Sequence, residues 1–211
     1  MHVYLDTADK KEIGELMKWG SFAGITTNPI ILKKADLDVW DAIKNLSLIF
    51  SGDFFVQTWG DSAKEMEANA VKIAEKLGKR AIIKVPITEN GLKAIYNLSN
   101  NGIWTAATAL FTKGQAVLAT EAGANFVIPF YNRIAEAGKD AIEIISQVCA
   151  ISNGRKNTKV LVASLKNVSQ VYSLPQDVFA ITISPTLAHE LLESDLTDKA
   201  VKGFSKASSE E

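Results

Sequence analysis

The segment Ala81-Ile82-Ile83-Lys84-Val85-Pro86-Ile87-Thr88 is apolar on successive residues and carries a single charge, on Lys84. Such a run is typical of a strand covered on both faces, as in a parallel sheet flanked by helices. Burying an ammonium is costly, because desolvation disfavours the charged form and lowers the pKa of the amine. Two interpretations follow for Lys84: a carbonyl-attacking nucleophile, or a lysine at a strand end whose stem is buried while its amine reaches water.

Similar apolar runs recur along the chain and alternate with longer amphipathic stretches. The predicted strands are Val3–Asp6, Ala23–Thr26, Phe54–Thr58, Ala81–Val85, Gly102–Ala107, Phe126–Ile128, Val160–Ala163 and Val178–Ile183. Helical patterns lie between them, as at Ser62–Leu77, Gly91–Asn100, Lys113–Ala122 and Lys139–Ile151. This alternation predicts an α/β protein, and the strand count indicates a (β/α)8 TIM barrel. At 211 residues the chain is short for that fold, so its loops must be brief.

The alternative fold is a doubly wound open sheet. The sequence Asp6-Thr7-Ala8-Asp9 after the first strand lacks the glycine-rich fingerprint expected there in a dinucleotide-binding sheet. We therefore expect one compact barrel domain over residues 1–204 and a polar, disordered tail over residues 205–211. Four glycines near helix ends are candidates for a positive φ: Gly78, Gly102, Gly123 and Gly154.

Composition excludes several classes of partner. The net charge is −1, from 23 basic and 24 acidic residues, so no overall field attracts nucleic acid or an anionic membrane. No apolar run approaches the roughly 20 residues of a membrane span, and the N-terminus lacks the pattern of a signal peptide. The single cysteine, Cys149, lies in an apolar helical stretch and is predicted to be a core thiol. These features predict a cytoplasmic protein.

Polar residues recur where the predicted strands end. Because active-site groups of a (β/α)8 barrel come from the carboxyl ends of its strands, these residues are candidate site residues. They are Asp6, Thr26, Thr27, Asn28, Gln57, Lys84, Thr108 (just beyond strand five), Asn132, Arg133, Ser164 and Lys166. Each also has an ordinary interpretation: Asp6 or Thr7 as the cap of a helix near Asp9, for instance, or Arg133 as a surface ion-pair partner.

Together these residue types can support carbonyl chemistry. The Lys84 amine can form an iminium with a ketone, and Asp6 can move the proton of a substrate hydroxyl. Gln57 and Thr108 can hold a proton-shuttling water, and Asn28 and Ser164 can bind sugar hydroxyls. Arg133 offers a planar cation for a phosphate. The two histidines, His2 and His189, are too few and scattered for a metal site, so no metal or organic cofactor is expected.

Four motifs resemble those of the small transaldolase family, which includes fructose-6-phosphate aldolases. They are Leu5-Asp6-Thr7-Ala8, Gly24-Ile25-Thr26-Thr27-Asn28-Pro29, Ile83-Lys84-Val85-Pro86-Ile87-Thr88 and Asn132-Arg133-Ile134. The resemblance extends from Met1 to about Phe204 and implies a (β/α)8 barrel with a Schiff-base mechanism. It also implies sugar-phosphate substrates, and homo-oligomers in which rings of five stack into decamers. Leu196–Phe204 would be the C-terminal helix that reaches a neighbouring subunit.

The resemblance implies roles for seven of the candidates. Lys84 is the Schiff-base lysine, Asp6 the general acid/base, and Gln57 and Thr108 bind the catalytic water. Asn28 contacts the dihydroxyacetone unit, and Arg133 and Ser164 bind phosphate. Thr26, Phe130 and Lys166 are predicted to complete the substrate site.

Two positions divide the family in opposite directions. Gln57 resembles the aldolase branch, since transaldolases carry glutamate there, whereas Phe130 resembles the transaldolases, since the aldolase branch tends to carry tyrosine. We weight Phe130 more heavily, because a tyrosine hydroxyl beside the Schiff base can help position the water that releases free dihydroxyacetone. The sequence therefore predicts a transaldolase. The alternatives are a fructose-6-phosphate aldolase and, in another class, a catalytically silent sugar-phosphate-binding barrel.

Overall fold

Eight parallel strands form a closed barrel in chain order, β1 through β8, and β1 pairs with β8 to complete it. The computed structural model describes residues 1–154 and 158–208. The strands are β1 His2–Asp6, β2 Gly24–Thr26, β3 Asp53–Gln57, β4 Ala81–Pro86, β5 Thr105–Leu110, β6 Phe126–Pro129, β7 Lys159–Val162 and β8 Ala180–Ile183. The predicted (β/α)8 TIM barrel is thus confirmed, and the open doubly wound sheet is wrong.

Helices connect the strands and cover the outside of the barrel. They are α1 Lys10–Leu16, α2 Pro29–Lys34, α3 Val39–Leu46, α4 Ala63–Leu77, α5 Glu89–Asn100, α6 Lys113–Glu121, α7 Tyr131–Glu136, α8 Ala141–Asn153, α9 Val168–Tyr172, α10 Pro185–Leu192 and α11 Asp195–Ser208. Short 3₁₀ turns follow α1 at Met17–Trp19 and α4 at Gly78–Arg80. Capping boxes fix the starts of α4, through Ser62 and Glu65, and of α6, through Thr112 and Gln115.

Apolar side chains form two layers, one between sheet and helices and one inside the barrel. The inner layer includes Tyr4, Phe55, Ile82, Phe126 and Leu161, all buried. This alternation of inward and outward residues explains why the strands are apolar on successive positions. Cys149 on α8 is a buried free thiol in the outer layer, as predicted, and burial raises its pKa to about 11.

Side chains close the amino-terminal end of the barrel around Lys159, at the start of β7. The Lys159 amine lies 4.4 Å from the ring centroid of Phe179 and 5.6 Å from those of Phe126 and Trp104. His2 packs against Phe179 on the same side, with 4.7 Å between ring centroids. The cation is therefore held against aromatic faces, which attract it electrostatically.

Three details of the chain path differ from the sequence predictions. Strand five is predicted at Gly102–Ala107, but β5 begins at Thr105 and continues to Leu110 through an irregularity in its pairing with β6. The positive φ predicted for glycines is found at Gly78, Gly102 and Gly123 but not at Gly154, where φ is −71° because the chain stays in the right-handed helical region. Of the tail predicted to be disordered, residues 205–208 belong to α11, while residues 209–211 lie outside the described residues.

The last helix, α11, packs none of its side chains into the core. Three apolar residues on it, Leu196, Val201 and Phe204, are 77%, 54% and 71% exposed. A bilayer-spanning helix would need more length and a more apolar composition than any helix within residues 1–154 and 158–208 provides.

Candidate active site

Lys84 lies within β4, and its side chain is only 4% exposed. Its Nζ atom donates a hydrogen bond of 2.8 Å to the backbone carbonyl of Thr27, directly after β2. The alternative in which the amine reaches water from a strand end is therefore wrong. The amine is held inside the barrel, at the level where β3 pairs Gln57 with Lys84 and β5 pairs Ala106 with Lys84.

Two effects of opposite sign act on the Lys84 amine. Burial lowers its pKa below the ordinary lysine value, and this effect is the larger. The negative charge of Asp6 raises the pKa, although the two side chains form no ion pair within the described part of the chain. The net lowering increases the fraction of free amine, the form that attacks a carbonyl carbon.

Asp6 ends β1 and takes part in a hydrogen-bonded chain of side chains. Its Oδ1 atom accepts a hydrogen bond of 2.6 Å from the hydroxyl of Thr26 on β2. The Thr26 hydroxyl is in turn 2.6 Å from that of Thr182 on β8. The cap of α1 is Asp9, which accepts from the backbone N–H groups of Lys11 and Glu12, so the capping interpretation of Asp6 is wrong.

Asn28 follows β2 and caps α2. Its Oδ1 atom accepts from the backbone N–H groups of Ile30 and Ile31, at 2.9 and 3.0 Å. This capping fixes the orientation of the amide, and its NH₂ group makes no hydrogen bond among residues 1–154 and 158–208. Asn28 can therefore donate to a ligand without giving up its structural role.

Gln57 and Thr108 come from the strands on either side of Lys84. Gln57 ends β3, and its side-chain amide makes no hydrogen bond to any described residue. Thr108 lies inside β5 rather than beyond it, next to Ala109, whose φ of 58° marks the irregular part of the strand. The Thr108 hydroxyl is buried and lacks a partner within the described ranges. Because an unpaired buried hydroxyl is unfavourable, this group is available to a bound water or substrate.

Phe130 and Arg133 form a stacked pair after β6. The Arg133 guanidinium lies over the Phe130 ring, 5.1 Å from its centroid, and Phe111 packs edge-on against the same ring at 5.9 Å. Arg133 has no carboxylate partner in the described part of the chain, so the surface ion-pair interpretation is wrong. The face of the ring instead attracts the guanidinium and leaves its N–H groups available to an anion.

Ser164 and Lys166 follow β7. Ser164 has φ 62°, an uncommon value for serine, and its carbonyl accepts from the backbone N–H of Asn132 at 3.1 Å. This bond connects the loops after β6 and β7, and so brings Ser164 to the Arg133 side of the barrel mouth. Lys166 is exposed, and its backbone N–H donates to the side chain of Gln170 at 2.7 Å.

The structure also contains contacts that the sequence did not indicate. Thr182 was not among the candidates, although it is a polar residue near the end of the eighth strand. The acceptor for Lys84 is a backbone carbonyl, that of Thr27, which leaves no signature in a sequence. In the described part of the chain, no three His, Cys, Asp or Glu side chains come together as they would around a metal ion.

Sequence comparisons relate this chain to known proteins. A family model described as Transaldolase/Fructose-6-phosphate aldolase matches residues 3–211. Relatives named "Probable transaldolase" occur in Clostridioides difficile (32% identical, 98% of this chain and 96% of the relative) and Clostridium perfringens (33%, 97% and 95%). Another with the same name occurs in Chelativorans sp. (34%, 97% and 94%). Each match spans nearly the full length of both chains.

Proposed function

Because this chain belongs to the transaldolase/fructose-6-phosphate aldolase family, we propose that it is a transaldolase. It transfers a dihydroxyacetone unit from a ketose phosphate, such as fructose 6-phosphate or sedoheptulose 7-phosphate, to an aldose phosphate, such as erythrose 4-phosphate or glyceraldehyde 3-phosphate. The observation that carries this proposal is the Lys84 amine, which is buried inside the barrel with a lowered pKa and a charged neighbour, Asp6. A structural lysine has no need of this environment, whereas a Schiff-base lysine does.

The first step joins Lys84 to the substrate. The free amine attacks the C2 carbonyl of the ketose phosphate, and loss of one water from the carbinolamine gives an iminium. This loss requires a proton on the departing hydroxyl. A water held by Gln57 and the unpaired Thr108 hydroxyl delivers that proton, since both groups belong to strands adjacent to β4.

The second step breaks the C3–C4 bond. Asp6 accepts the proton of the C4 hydroxyl, the C4 oxygen becomes a carbonyl, and the bond's electron pair moves to the iminium nitrogen, which gives an enamine. The aldose phosphate then leaves. A second aldose phosphate reacts with the enamine by the reverse steps, and hydrolysis of the new iminium releases the product ketose.

Side chains on the other strand ends bind the rest of the substrate. The free NH₂ group of Asn28 donates to the dihydroxyacetone unit. Arg133, whose guanidinium lies over the Phe130 ring, binds the terminal phosphate together with Ser164 and Lys166. The enzyme uses no metal or organic cofactor for this reaction, because the iminium itself is the electron sink.

Whether the enamine is transferred or hydrolysed depends on the groups around it. Phe130 presents a ring with no hydroxyl beside the site, which favours retention of the enamine until an acceptor arrives. Gln57 is the feature that favours the rival function, a fructose-6-phosphate aldolase releasing free dihydroxyacetone. We favour transfer, because Phe130 bears directly on the competing hydrolysis.

We further propose that the protein is a cytoplasmic homo-oligomer, a pentamer or decamer. The apolar residues exposed on α11 support this, since the helix buries none of them against its own barrel. A second copy would cover them. The cytoplasmic location follows from the proposed substrates, because doubly charged phosphates do not cross a bilayer unaided.

Product partition tests this proposal. The protein is incubated with fructose 6-phosphate, with and without erythrose 4-phosphate, and sedoheptulose 7-phosphate and free dihydroxyacetone are measured. We expect sedoheptulose 7-phosphate with the acceptor and little turnover without it. Dihydroxyacetone released at a comparable rate without acceptor would make the protein an aldolase. No product under either condition would overturn both readings and favour the silent barrel.

A further inference from the structure

Three side chains from adjacent strands β8, β2 and β1 form a hydrogen-bonded chain that ends on the proposed acid/base. The hydroxyl oxygens of Thr182 and Thr26 are 2.6 Å apart, and the Thr26 hydroxyl is 2.6 Å from Oδ1 of Asp6. Thr182 is 3% exposed and Thr26 is 1% exposed. Both threonines are therefore almost fully buried.

The number of protons fixes the direction of this chain. A threonine hydroxyl has one proton to donate and can accept in return. While Asp6 is a carboxylate it can only accept, so Thr26 donates to Oδ1 and Thr182 donates to Thr26. Every donor in the chain then has an acceptor.

A proton placed on Oδ1 of Asp6 would reverse the direction of donation along this hydrogen-bonded chain. Oδ1 would donate to Thr26 and Thr26 to Thr182, and the Thr182 hydroxyl would lose its acceptor, because it makes no other side-chain hydrogen bond in the described ranges. A buried donor without a partner is unfavourable. Protonation on Oδ2, which has no partner among residues 1–154 and 158–208, leaves the chain unchanged.

We propose that Thr182 is a positioning residue that acts through Thr26: it keeps Oδ1 of Asp6 as a fixed acceptor, so that Oδ2 exchanges the proton with substrate. The inference rests on the proposed function, since it assigns the proton transfer to one oxygen of Asp6. It also changes the interpretation of Thr26. Its hydroxyl already donates to Asp6 and accepts from Thr182, so Thr26 orients Asp6 rather than contacting substrate through this group.

A geometric argument supports an effect on rate. General acid/base catalysis requires the carboxyl oxygen within hydrogen-bond reach of the hydroxyl it deprotonates, and small displacements reduce that contribution. Asp6 ends its strand and is partly exposed, so the packing around it does not by itself fix the carboxyl rotation. The bond from Thr26 fixes it, and the bond from Thr182 orients the Thr26 proton.

The experiment compares cleavage with imine formation in five variants. Thr182→Val removes the hydroxyl at nearly constant volume, Thr182→Ser retains it, and Thr26→Val removes the middle of the chain. The fourth is the double variant Thr26→Val/Thr182→Val. The control is Thr105→Val, which also removes a buried threonine hydroxyl. That hydroxyl contacts Ser99 at 3.2 Å and does not belong to the hydrogen-bonded chain that ends on Asp6. Turnover of fructose 6-phosphate with erythrose 4-phosphate reports cleavage, and borohydride trapping with dihydroxyacetone reports imine formation.

We expect Thr182→Val to lower kcat on the order of tenfold, with trapping retained, and Thr182→Ser to recover most of that loss. In the Thr26→Val background, adding Thr182→Val should change kcat by no more than about twofold, because the two residues act in series. Thr105→Val should have wild-type kcat.

Three results would overturn the inference. One is wild-type kcat in Thr182→Val. A second is equal loss of trapping and turnover, which indicates general damage to the site. The third is independent, multiplicative losses in the double variant. A wild-type protein that neither traps nor turns over substrate would overturn the proposed function and this inference together, which distinguishes that failure from the other three.

Discussion

The amine of Lys84 on β4 donates to the backbone carbonyl of Thr27, which follows β2, so this bond passes across the end of β3. The acceptor is part of the main chain and is itself fixed, because the Thr27 N–H and hydroxyl both donate to the carbonyl of Phe55, at 3.0 and 3.1 Å. The amine is thus oriented by the barrel frame and not by a side chain. Because this rigid environment has little exposure to water, the Lys84 amine lowers the free energy of unfolding.

Lys84→Met should stabilise the protein near neutral pH. The variant replaces a buried amine by an apolar chain of similar size, and we expect the free energy of unfolding to rise by roughly 1–4 kcal/mol. Between the lowered pKa of folded Lys84 and its ordinary value, the unfolded wild-type chain binds a proton that the folded chain does not, so wild-type stability rises with pH in this window.

The advantage of Lys84→Met should therefore shrink from about pH 7 to about pH 10. Urea unfolding of the wild-type protein and the Lys84→Met variant at the two pH values measures this difference in stability. An advantage that stays constant or grows with pH would contradict the lowered pKa.

Lys84→Ala should abolish the chemistry. Without the amine no iminium forms, so borohydride trapping should disappear and turnover should fall by at least about 10³-fold. Mass spectrometry after reduction with dihydroxyacetone detects the adduct. The control is Lys93→Ala, which removes an exposed lysine that pairs with Glu89 at 2.7 Å, and it should trap normally. Trapping by Lys84→Ala would show that another amine is the nucleophile.

Asp6→Asn should separate imine formation from cleavage. The amide keeps the shape of the carboxyl group but cannot take up the proton of the C4 hydroxyl, so kcat should fall by about 10²–10⁴-fold while trapping with dihydroxyacetone persists. Asp9→Asn is the matched control, because Asp9 only caps α1 and asparagine caps equally well. Normal cleavage by Asp6→Asn would remove Asp6 from the acid/base role.

Arg133→Ala should weaken the binding of phosphorylated substrates. Loss of charge-assisted bonds to the phosphate should raise KM for fructose 6-phosphate by about 10- to 100-fold, with a much smaller effect on free dihydroxyacetone. Lys139→Ala, which removes an exposed cation beyond the end of α7, controls for a change in charge alone. Equal effects on the two substrates would mean that Arg133 does not bind the phosphate.

Phe130→Tyr should increase release of free dihydroxyacetone from fructose 6-phosphate without acceptor. The added hydroxyl can hold the water that protonates the enamine, and we expect roughly a fivefold change in partition, the equivalent of one hydrogen bond. Phe130→Leu removes the ring without adding a hydroxyl and should not increase this release. If both variants behave alike, the missing hydroxyl is not what retains the enamine.

The barrel itself could be predicted from sequence, because the same pattern of strand and helix recurs along the chain. Apolar runs such as Phe54–Thr58 and Ala81–Val85 recur with helical patterns between them, and an error at one end of a strand does not change the count. The candidate side chains could also be found, since the carboxyl ends of parallel strands meet at one mouth. Asp6, Gln57 and Lys84 lie on β1, β3 and β4, where this rule puts them.

What could not be predicted depends on backbone geometry and on pairs distant in sequence. Ala109 and Ser164 adopt positive φ values that their residue types do not indicate. The bond between Thr26 and Thr182 joins residues 156 positions apart, and threonine is in any case a common strand residue. Thr182 cannot be identified as a site residue from sequence, because a threonine near a strand end has an ordinary explanation until its partner is known.

The aromatic rings around Lys159 bear on the order in which substrates bind and products leave. Because side chains fill the amino-terminal end of the barrel, we expect substrates to arrive and products to depart through the carboxyl-terminal mouth. Under the proposed function, both aldehydes occupy the same position beside the enamine, so the first must leave before the second binds and we expect double-displacement kinetics. The two aldehydes also compete for one enamine, so accumulating glyceraldehyde 3-phosphate should slow the formation of sedoheptulose 7-phosphate by reversing the first half of the cycle.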